Sequence, residues 1–184
     1  MKEPHFLNRE LSWVEFNARV LHEGVDPGNH PLDRFKFLCI VSSNFDEFFM
    51  VRVATLKRQR KAGNRITCPS GMSPSDQLKA LRKRIKELIE KQRKVLTEEI
   101  FPEMAKGGLI LRRPGGYSKE QYNFIKHHFR NSIFPALSPA RLDQEERVPQ
   151  TRNLALHIAF SLKNNETDET NQAIVQIPIA LDRY

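Results

Sequence analysis

The longest periodic segment of the chain runs from Ser75 to about Ile100, and it constrains the fold most strongly. Its apolar side chains recur every three or four residues, at Leu78, Leu81, Ile85, Leu88, Ile89, Val95 and Leu96. Ser73 before Pro74 is typical of a helix start, because serine caps free amides and proline fits the first turn. A long helix with one apolar face has to bury that face against other elements. We therefore predict a helical bundle.

Polar residues upstream indicate where the other helices of this bundle begin. A first helix starts near Asn8 or Ser12, and Ser12 with Glu15 has the spacing of a capping box. The loop at 26–29, which contains Asp, Pro, Gly and Asn, ends this helix. Pro31 then opens a second helix, since proline is favoured at the first helical position.

The second helix is expected to run only from Leu32 to about Val41. Three consecutive polar residues, 42–44, interrupt it, and a third helix follows from about Phe45 to Lys61. Any of the three can cap the third helix, and Asn44 with Glu47 again has capping-box spacing.

The pattern changes after Gly108. Residues 109–111 form a short apolar run that is consistent with a strand, and 154–162 and 173–179 alternate well enough for two more. Residues 118–134 have the spacing of an amphipathic helix. Its inward positions are expected to be Tyr122, Ile125, Phe129 and Ile133. So few elements cannot cover both faces of a sheet, so we expect this region to be part of a longer protein.

The predicted fold class is therefore mainly α. A helical bundle of three to four helices occupies residues 1–105, and an incomplete α+β domain occupies 106–184. The 184 residues are 39% hydrophobic and 28% charged, a globular composition, and no apolar run approaches the ~20 residues of a membrane span. The N-terminus lacks an apolar signal core. Cys39 and Cys68 are too few for a disulfide scaffold, so we expect a reducing cytosol.

The positive charge is uneven. The net charge is +8, and the span from Phe48 to Ser75 contains no Asp or Glu. It carries Arg52, Lys57, Arg58, Arg60, Lys61 and Arg65. Such a concentration of positive charge favours a polyanionic partner. The partner could be a nucleic acid, a nucleotide, polyphosphate or an acidic membrane surface. A solvated helix end with cations near its negative pole is an equally good explanation.

The segment from Ser42 to Ala54 mixes polar groups with phenylalanines more densely than a core helix needs, which indicates binding. Spacing alone favours Asn44 as a helix cap over a ligand contact. Asp46 and Glu47 are interpreted as first-turn acids that stabilise the helix. Arg52 is interpreted as an internal partner of one of these two carboxylates, with a bound phosphate as the alternative.

The aromatic side chains of this half are interpreted as core, with Trp13 packed on Phe16 and with Phe45, Phe48 and Phe49 buried. Cys39, in an apolar run, is also placed in the core. The six histidines are scattered or adjacent in sequence, which suits neither a zinc site nor a catalytic pair. No catalytic or metal-binding residue is assigned.

Two long motifs carry a family resemblance. FLNRELSWVEFNARVL and HPLDRFKFLCIVSSNFDEFFMVRVATLKR resemble the amino-terminal region of the long, phosphohistidine-type bacterial polyphosphate kinases. The long helix, GGLIL, FIKHHFRNSIFPALSPARLD and NLALHIAF are similar as well, so the resemblance covers essentially the whole chain. Two departures are the segment ERVPQ before the last motif, and Phe45 where the family usually has leucine.

The resemblance implies a four-domain enzyme that transfers the ATP γ-phosphate through a phosphohistidine to polyphosphate. Its catalytic histidines and Mg²⁺ ligands lie in a carboxyl-terminal half that this chain lacks, so the chain alone is expected to be inactive. The amino-terminal domain covers the adenine end of the nucleotide site, and the family's ATP-contacting asparagine falls at Asn44.

The resemblance also implies ATP, ADP and polyphosphate as partners, a homo-oligomer, and a cytoplasmic location that leaves peripheral membrane attachment open. A nucleic-acid partner is not expected. The alternative function is a non-catalytic module that binds polyanions or assembles with a partner through its basic surface.

Overall fold

The computed structural model describes residues 6–63, 67–142, 151–164, 168–179 and 181, in two compact units that divide between Leu111 and Arg112. The helices of the first unit are α1 (Arg9–Val25), α2 (Pro31–Phe48), α3 (Ala54–Lys61), α4 (Pro74–Val95) and α5 (Phe101–Lys106). A first π turn (Phe49–Val53) joins α2 to α3, and a second π turn (Leu96–Ile100) joins α4 to α5.

Asn8, rather than Ser12, caps α1. The Asn8 side-chain oxygen accepts a hydrogen bond from the Leu11 amide at 2.9 Å, and its Nδ2 donates to Gln77 Oε1 on α4 at 3.0 Å. The Ser12–Glu15 capping box is wrong, because Glu15 instead accepts hydrogen bonds from Arg84. One asparagine thus both starts α1 and joins it to the long helix.

The predicted break at residues 42–44 is also wrong, because the chain stays helical from Pro31 to Lys61. The Ser42 hydroxyl bonds back to the Leu38 carbonyl at 3.3 Å and accepts from Gln92 Nε2 at 2.8 Å. Polar side chains satisfied in this way do not compete with the helical backbone. Similarly, the chain stays helical beyond the predicted end of α4, through the second π turn into α5, although Pro102 lies at the start of α5.

The bundle core confirms most of the predicted apolar face of the long helix, although Ile89 of that face is exposed. Its buried members include Val14, Leu21, Leu38, Val41, Phe45, Phe48, Leu81, Ile85, Leu88, Val95 and Ile100. Cys39 was placed in the core wrongly and is exposed, because its neighbour Leu38 takes the inward position and successive helical residues point about 100° apart.

One cation is fully buried in this bundle. Arg34 donates to the carbonyls of Gly24 and Val25, at 3.1 and 3.3 Å, and pairs with Glu99 at 2.5 Å and Glu103 at 3.0 Å. It therefore joins the end of α1 to the second π turn and α5. A buried charge is tolerated only when it is paired and hydrogen-bonded in this manner.

The second unit contains α6 (Lys119–His128), a third π turn (Phe129–Ile133), a 3₁₀ turn (Phe134–Ala136) and three strands. The strands are β1 (Pro139–Leu142), β2 (His157–Lys163) and β3 (Thr170–Gln176), antiparallel in the order β1-β3-β2. In this register Ile174 of β3 lies between Ala140 and Ala159. As predicted, Ser118 starts α6, in a capping box with Gln121.

Several sequence predictions for this region are wrong. Residues 109–111 pair with no strand among the described residues and are exposed, whereas β1 was missed because prolines surround it. Three side chains of the helical segment 118–134 that were predicted to point inward, Tyr122, Ile125 and Phe129, are exposed. The overall class is confirmed: a helical unit is followed by a partial α+β unit. Within the described ranges, no helix is both long and apolar enough to cross a bilayer.

Candidate functional site

Asn44 lies half-buried on α2, at an open cavity of about 360 Å³. From α1 the cavity is lined by Arg9, Glu10, Trp13 and Phe16. From α2 and the first π turn it is lined by Asn44, Glu47, Phe48, Val51 and Arg52. Both sets recur at helical spacing, so each comes from one helix face. The volume falls at the lower end of the ~300–1,000 Å³ typical of small-molecule sites.

A second asparagine orients the Asn44 amide. Asn44 Nδ2 donates to Asn17 Oδ1 at 2.9 Å, and Asn17 Nδ2 donates to the Val41 carbonyl at 3.3 Å. Asn17 is completely buried, on the face of α1 that also carries Val14 and Leu21. Because a carboxamide has two N–H donors and an acceptor oxygen, Asn44 retains one donor and its oxygen for other partners. Asn44 lies within a continuous helix, so its predicted role as a cap is wrong.

Arg52 pairs across the bundle with Glu10. Its Nε donates to Glu10 Oε2 at 3.0 Å and its Nη2 to Glu10 Oε1, while Arg9 reaches the same carboxylate at 3.1 Å. The prediction that Arg52 pairs with Asp46 or Glu47 is therefore wrong. Glu10 is mostly buried, so the two arginines compensate its charge, and Arg52 holds α1 against the first π turn.

The inner wall of the cavity is aromatic. Trp13 stacks on Phe48, with centroids 4.4 Å apart and planes 8° apart, and meets Phe45 edge-on at 6.2 Å. The predicted Trp13–Phe16 pair is replaced by these contacts, and Phe16 is about half exposed beneath the Arg19 guanidinium. Phe45 and Phe48 are core as predicted, whereas Phe49 is exposed. A flat apolar wall beside a fixed amide suits a planar heterocycle.

Comparison with known families agrees with this architecture. The family model described as the polyphosphate kinase N-terminal domain matches residues 6–112, and that of the middle domain matches 120–184. The chain belongs to the polyphosphate kinase family. The resemblance stated from the sequence motifs is thereby confirmed.

Individual polyphosphate kinases are similar in sequence to this chain over nearly all of its length. The chain is 43% identical to that of Halalkalibacterium halodurans, over all of this chain and 26% of the relative. It is 37% identical to that of Thermosynechococcus vestitus, over 98% of this chain and 25% of the relative. The chain thus spans about a quarter of the length of the polyphosphate kinases that it matches.

A solved structure of this family has the same fold. The crystal structure of polyphosphate kinase from Porphyromonas gingivalis superposes with a TM-score of 0.79 at 30% identity. The superposition covers 94% of this chain and 25% of that one. Of the two departures from the family motifs, Phe45 is buried in the core, and ERVPQ lies outside the described residues.

Sequence reasoning proposed Asn44 as the ligand contact and missed two groups beside it, Asn17, which orients Asn44, and Glu10, which pairs with Arg52. Asn17 carried a detectable signal, because a polar residue on the apolar face between Val14 and Leu21 needs a buried partner. The Glu10–Arg52 pair carried no local signal, since its members are far apart in the sequence.

Proposed function

We propose that this chain is the amino-terminal part of a polyphosphate kinase and supplies one wall of its ATP site, at the adenine end. Asn44 is the residue proposed to contact the nucleotide. In the complete enzyme the ATP γ-phosphate would pass through a phosphohistidine to polyphosphate, on protein outside this chain. Family membership supports the reaction class, and the Asn44 cavity supports the role assigned to this part.

The observation that carries the proposal is the position of the Asn44 amide. It opens on a cavity instead of being sealed in the bundle, and Asn17 fixes its orientation. An adenine edge presents a donor beside an acceptor, and a carboxamide can pair with both. Trp13, held in place by its stacking on the buried Phe48, supplies the apolar wall that a purine ring needs.

The charged groups of the cavity are compatible with a bound nucleotide, but we assign them no part in phosphoryl transfer. Arg9 and Arg52 border it, and both are already engaged by Glu10. Among the described residues, no group of three His, Cys, Asp or Glu side chains is placed to hold a metal ion. We assign Mg²⁺ binding and phosphoryl transfer to parts of the enzyme outside this chain.

The first test is ligand binding by this chain, followed through the side-chain amide NMR signals of Asn44 and Asn17. Because one wall of a site makes few contacts, we expect millimolar affinity at best. ATP and adenosine should shift both signals, and inorganic tripolyphosphate should leave them in place. Shifts caused by tripolyphosphate but not by adenosine would contradict the adenine assignment.

The second test places Asn44→Ala in a longer polyphosphate kinase that contains this sequence. We expect KM for ATP to rise about tenfold with a smaller change in kcat, because the lost contact is made in both the ground and the transition state. Ser43→Ala, at the exposed neighbouring position, is the matched control. An unchanged KM in Asn44→Ala would remove Asn44 from the site. ATP-dependent polyphosphate synthesis by the isolated chain would refute the proposed division of labour.

The alternative, a polyanion-binding or assembly module, is favoured by a separate observation: Lys57, Arg60, Lys79, Arg82 and Lys86 line one concave surface of the bundle. Binding to any polyanion that weakens steeply with salt and is unaffected by Asn44→Ala would support it.

A further inference from the structure

A second and larger concavity lies on another face of the bundle, between α4 and the helix formed by the first π turn and α3. Its volume is about 840 Å³. Its floor is apolar and is formed by Phe49, Val53, Leu78, Leu81, Ile85 and Ile89. Phe49 and Ile89 are each almost half exposed. We call this concavity the basic groove.

The rim of the basic groove is strongly cationic. It carries Lys57, Arg60, Lys79, Arg82 and Lys86, against one carboxylate, Glu90. Lys86 and Glu90 lie 3.7 Å apart. Among the described residues, none of the other four cations has a carboxylate within 4.0 Å. Clustered cations without counter-charges attract an anionic partner.

The shape of the basic groove fits a helix. Its α4 wall runs from Ser75 to Glu90, which is about 22 Å at 1.5 Å per residue, or roughly four turns. Two packed helices leave a channel between their ridges into which the side chains of a third helix can interdigitate. An apolar floor between charged edges calls for an amphipathic helix with an apolar stripe and acidic flanks.

We propose that the basic groove docks an acidic amphipathic helix of a separate partner protein. Charge complementarity carries the choice of occupant. A bare polyanion such as polyphosphate would satisfy the rim and leave the apolar floor in water. A single-stranded nucleic acid would need aromatic platforms, and Phe49 is the one aromatic side chain among the groove's lining residues. The groove shares no lining residue with the Asn44 cavity, so this proposal stands apart from the nucleotide role.

The test measures fluorescence anisotropy of a labelled peptide of about four helical turns, with leucines at helical spacing flanked by glutamates. The control peptide has the same composition with the leucines scrambled around the helix. We expect the patterned peptide to bind at least about tenfold more tightly, since only its apolar stripe can reach the floor. Raising the salt should weaken binding without abolishing it.

Substitutions in the rim and in the floor measure separately how much each part of the groove contributes to peptide binding. Lys57→Glu with Lys79→Glu should weaken patterned-peptide binding more than about tenfold, as should Ile89→Glu alone. The matched control, Lys36→Glu with Lys91→Glu, changes the net charge equally at exposed positions outside the groove and should leave binding unchanged. Circular dichroism establishes that each variant is folded before binding is compared.

Three results would overturn the proposal. One is equal binding of the patterned and scrambled peptides. Another is tighter binding of polyphosphate, or of vesicles containing phosphatidylglycerol, that depends on Lys57 and Lys79 but not on Ile89. The last is self-association of the chain that competes with the peptide, which would assign the groove to a second copy.

Discussion

The Asn44 cavity and the basic groove lie on two faces of one continuous helix, and they use polar groups in opposite ways. In the cavity, Asn17 orients Asn44, and Glu10 holds both Arg9 and Arg52. In the groove, four of five rim cations have no carboxylate partner among the described residues. Internally paired groups are preorganised and suit a small ligand. Cations that lack internal partners instead suit a partner that brings its own charges.

Adjacent phenylalanines offer the sharpest way to break this comparison. Phe48 is buried against Trp13 on the cavity side, whereas Phe49 is exposed on the groove side. We expect Phe48→Ala to lower the free energy of unfolding by about 3–5 kcal/mol, because it leaves a cavity in the core. Phe49→Ala should cost less than about 1 kcal/mol. Urea denaturation of both variants checks this, and equal losses would show that the two faces are not distinct.

Two arginines of the same continuous helix give an intermediate effect. Arg52→Ala leaves Glu10 with Arg9 alone, and we expect a loss of about 1.5–3 kcal/mol, the range for hydrogen bonds to charged groups. Arg60→Ala, on the groove rim, should change stability by no more than about 0.5 kcal/mol. Urea denaturation at neutral pH distinguishes them. A larger loss for Arg60→Ala would mean that the groove contains a structural partner for it.

The smallest expected effect concerns the ion pair between Arg84 of α4 and Glu15 of α1. Arg84 donates hydrogen bonds to Glu15 and lowers the pKa of that carboxyl, whereas Arg82 lies on the groove rim. Since folding lowers this pKa, the pair stabilises the fold above the unfolded value of about 4.3. That stability is lost as the pH falls through the folded pKa. Both side chains are partly exposed, so the contribution should not exceed about 1 kcal/mol.

The measurement is the difference in unfolding free energy between the wild type and Glu15→Gln from pH 7 to pH 3. It should shrink towards zero at the acidic end. Glu23→Gln, at an exposed position with no ion pair among the described residues, is the control and should show no such trend. A difference that grows on acidification would contradict the assigned sign.

Sequence reasoning succeeded where a local pattern decides the outcome. Ser73 before Pro74 fixes the start of α4, and the spacing of Leu81, Ile85 and Leu88 identifies its buried face. It failed where distant contacts decide. Nothing near Ser42 shows that Gln92 will satisfy it, so the break predicted there does not occur.

The candidate site follows the same rule. The motif predicts Asn44 as the ligand contact, but the orientation of its amide depends on Asn17 in another helix, and the partner of Arg52 is 42 residues away in the chain. The strands of the second unit were harder to predict. Strand β1 has only four residues and begins with a proline, so it shows no alternating pattern. Pairing with β3, which no local pattern of β1 reveals, makes it a strand.

The buried Arg34 sets a lower limit on how far the bundle can be shortened. Two of its four partners, Glu99 and Glu103, come from the final turns of the helical unit. A chain cut before them would retain every apolar layer of α1, α2 and α4 and still enclose a cation stripped of its counter-ions. The smallest autonomous version of this unit must therefore extend through Glu103, beyond Ile100, the last fully buried apolar side chain described in the unit.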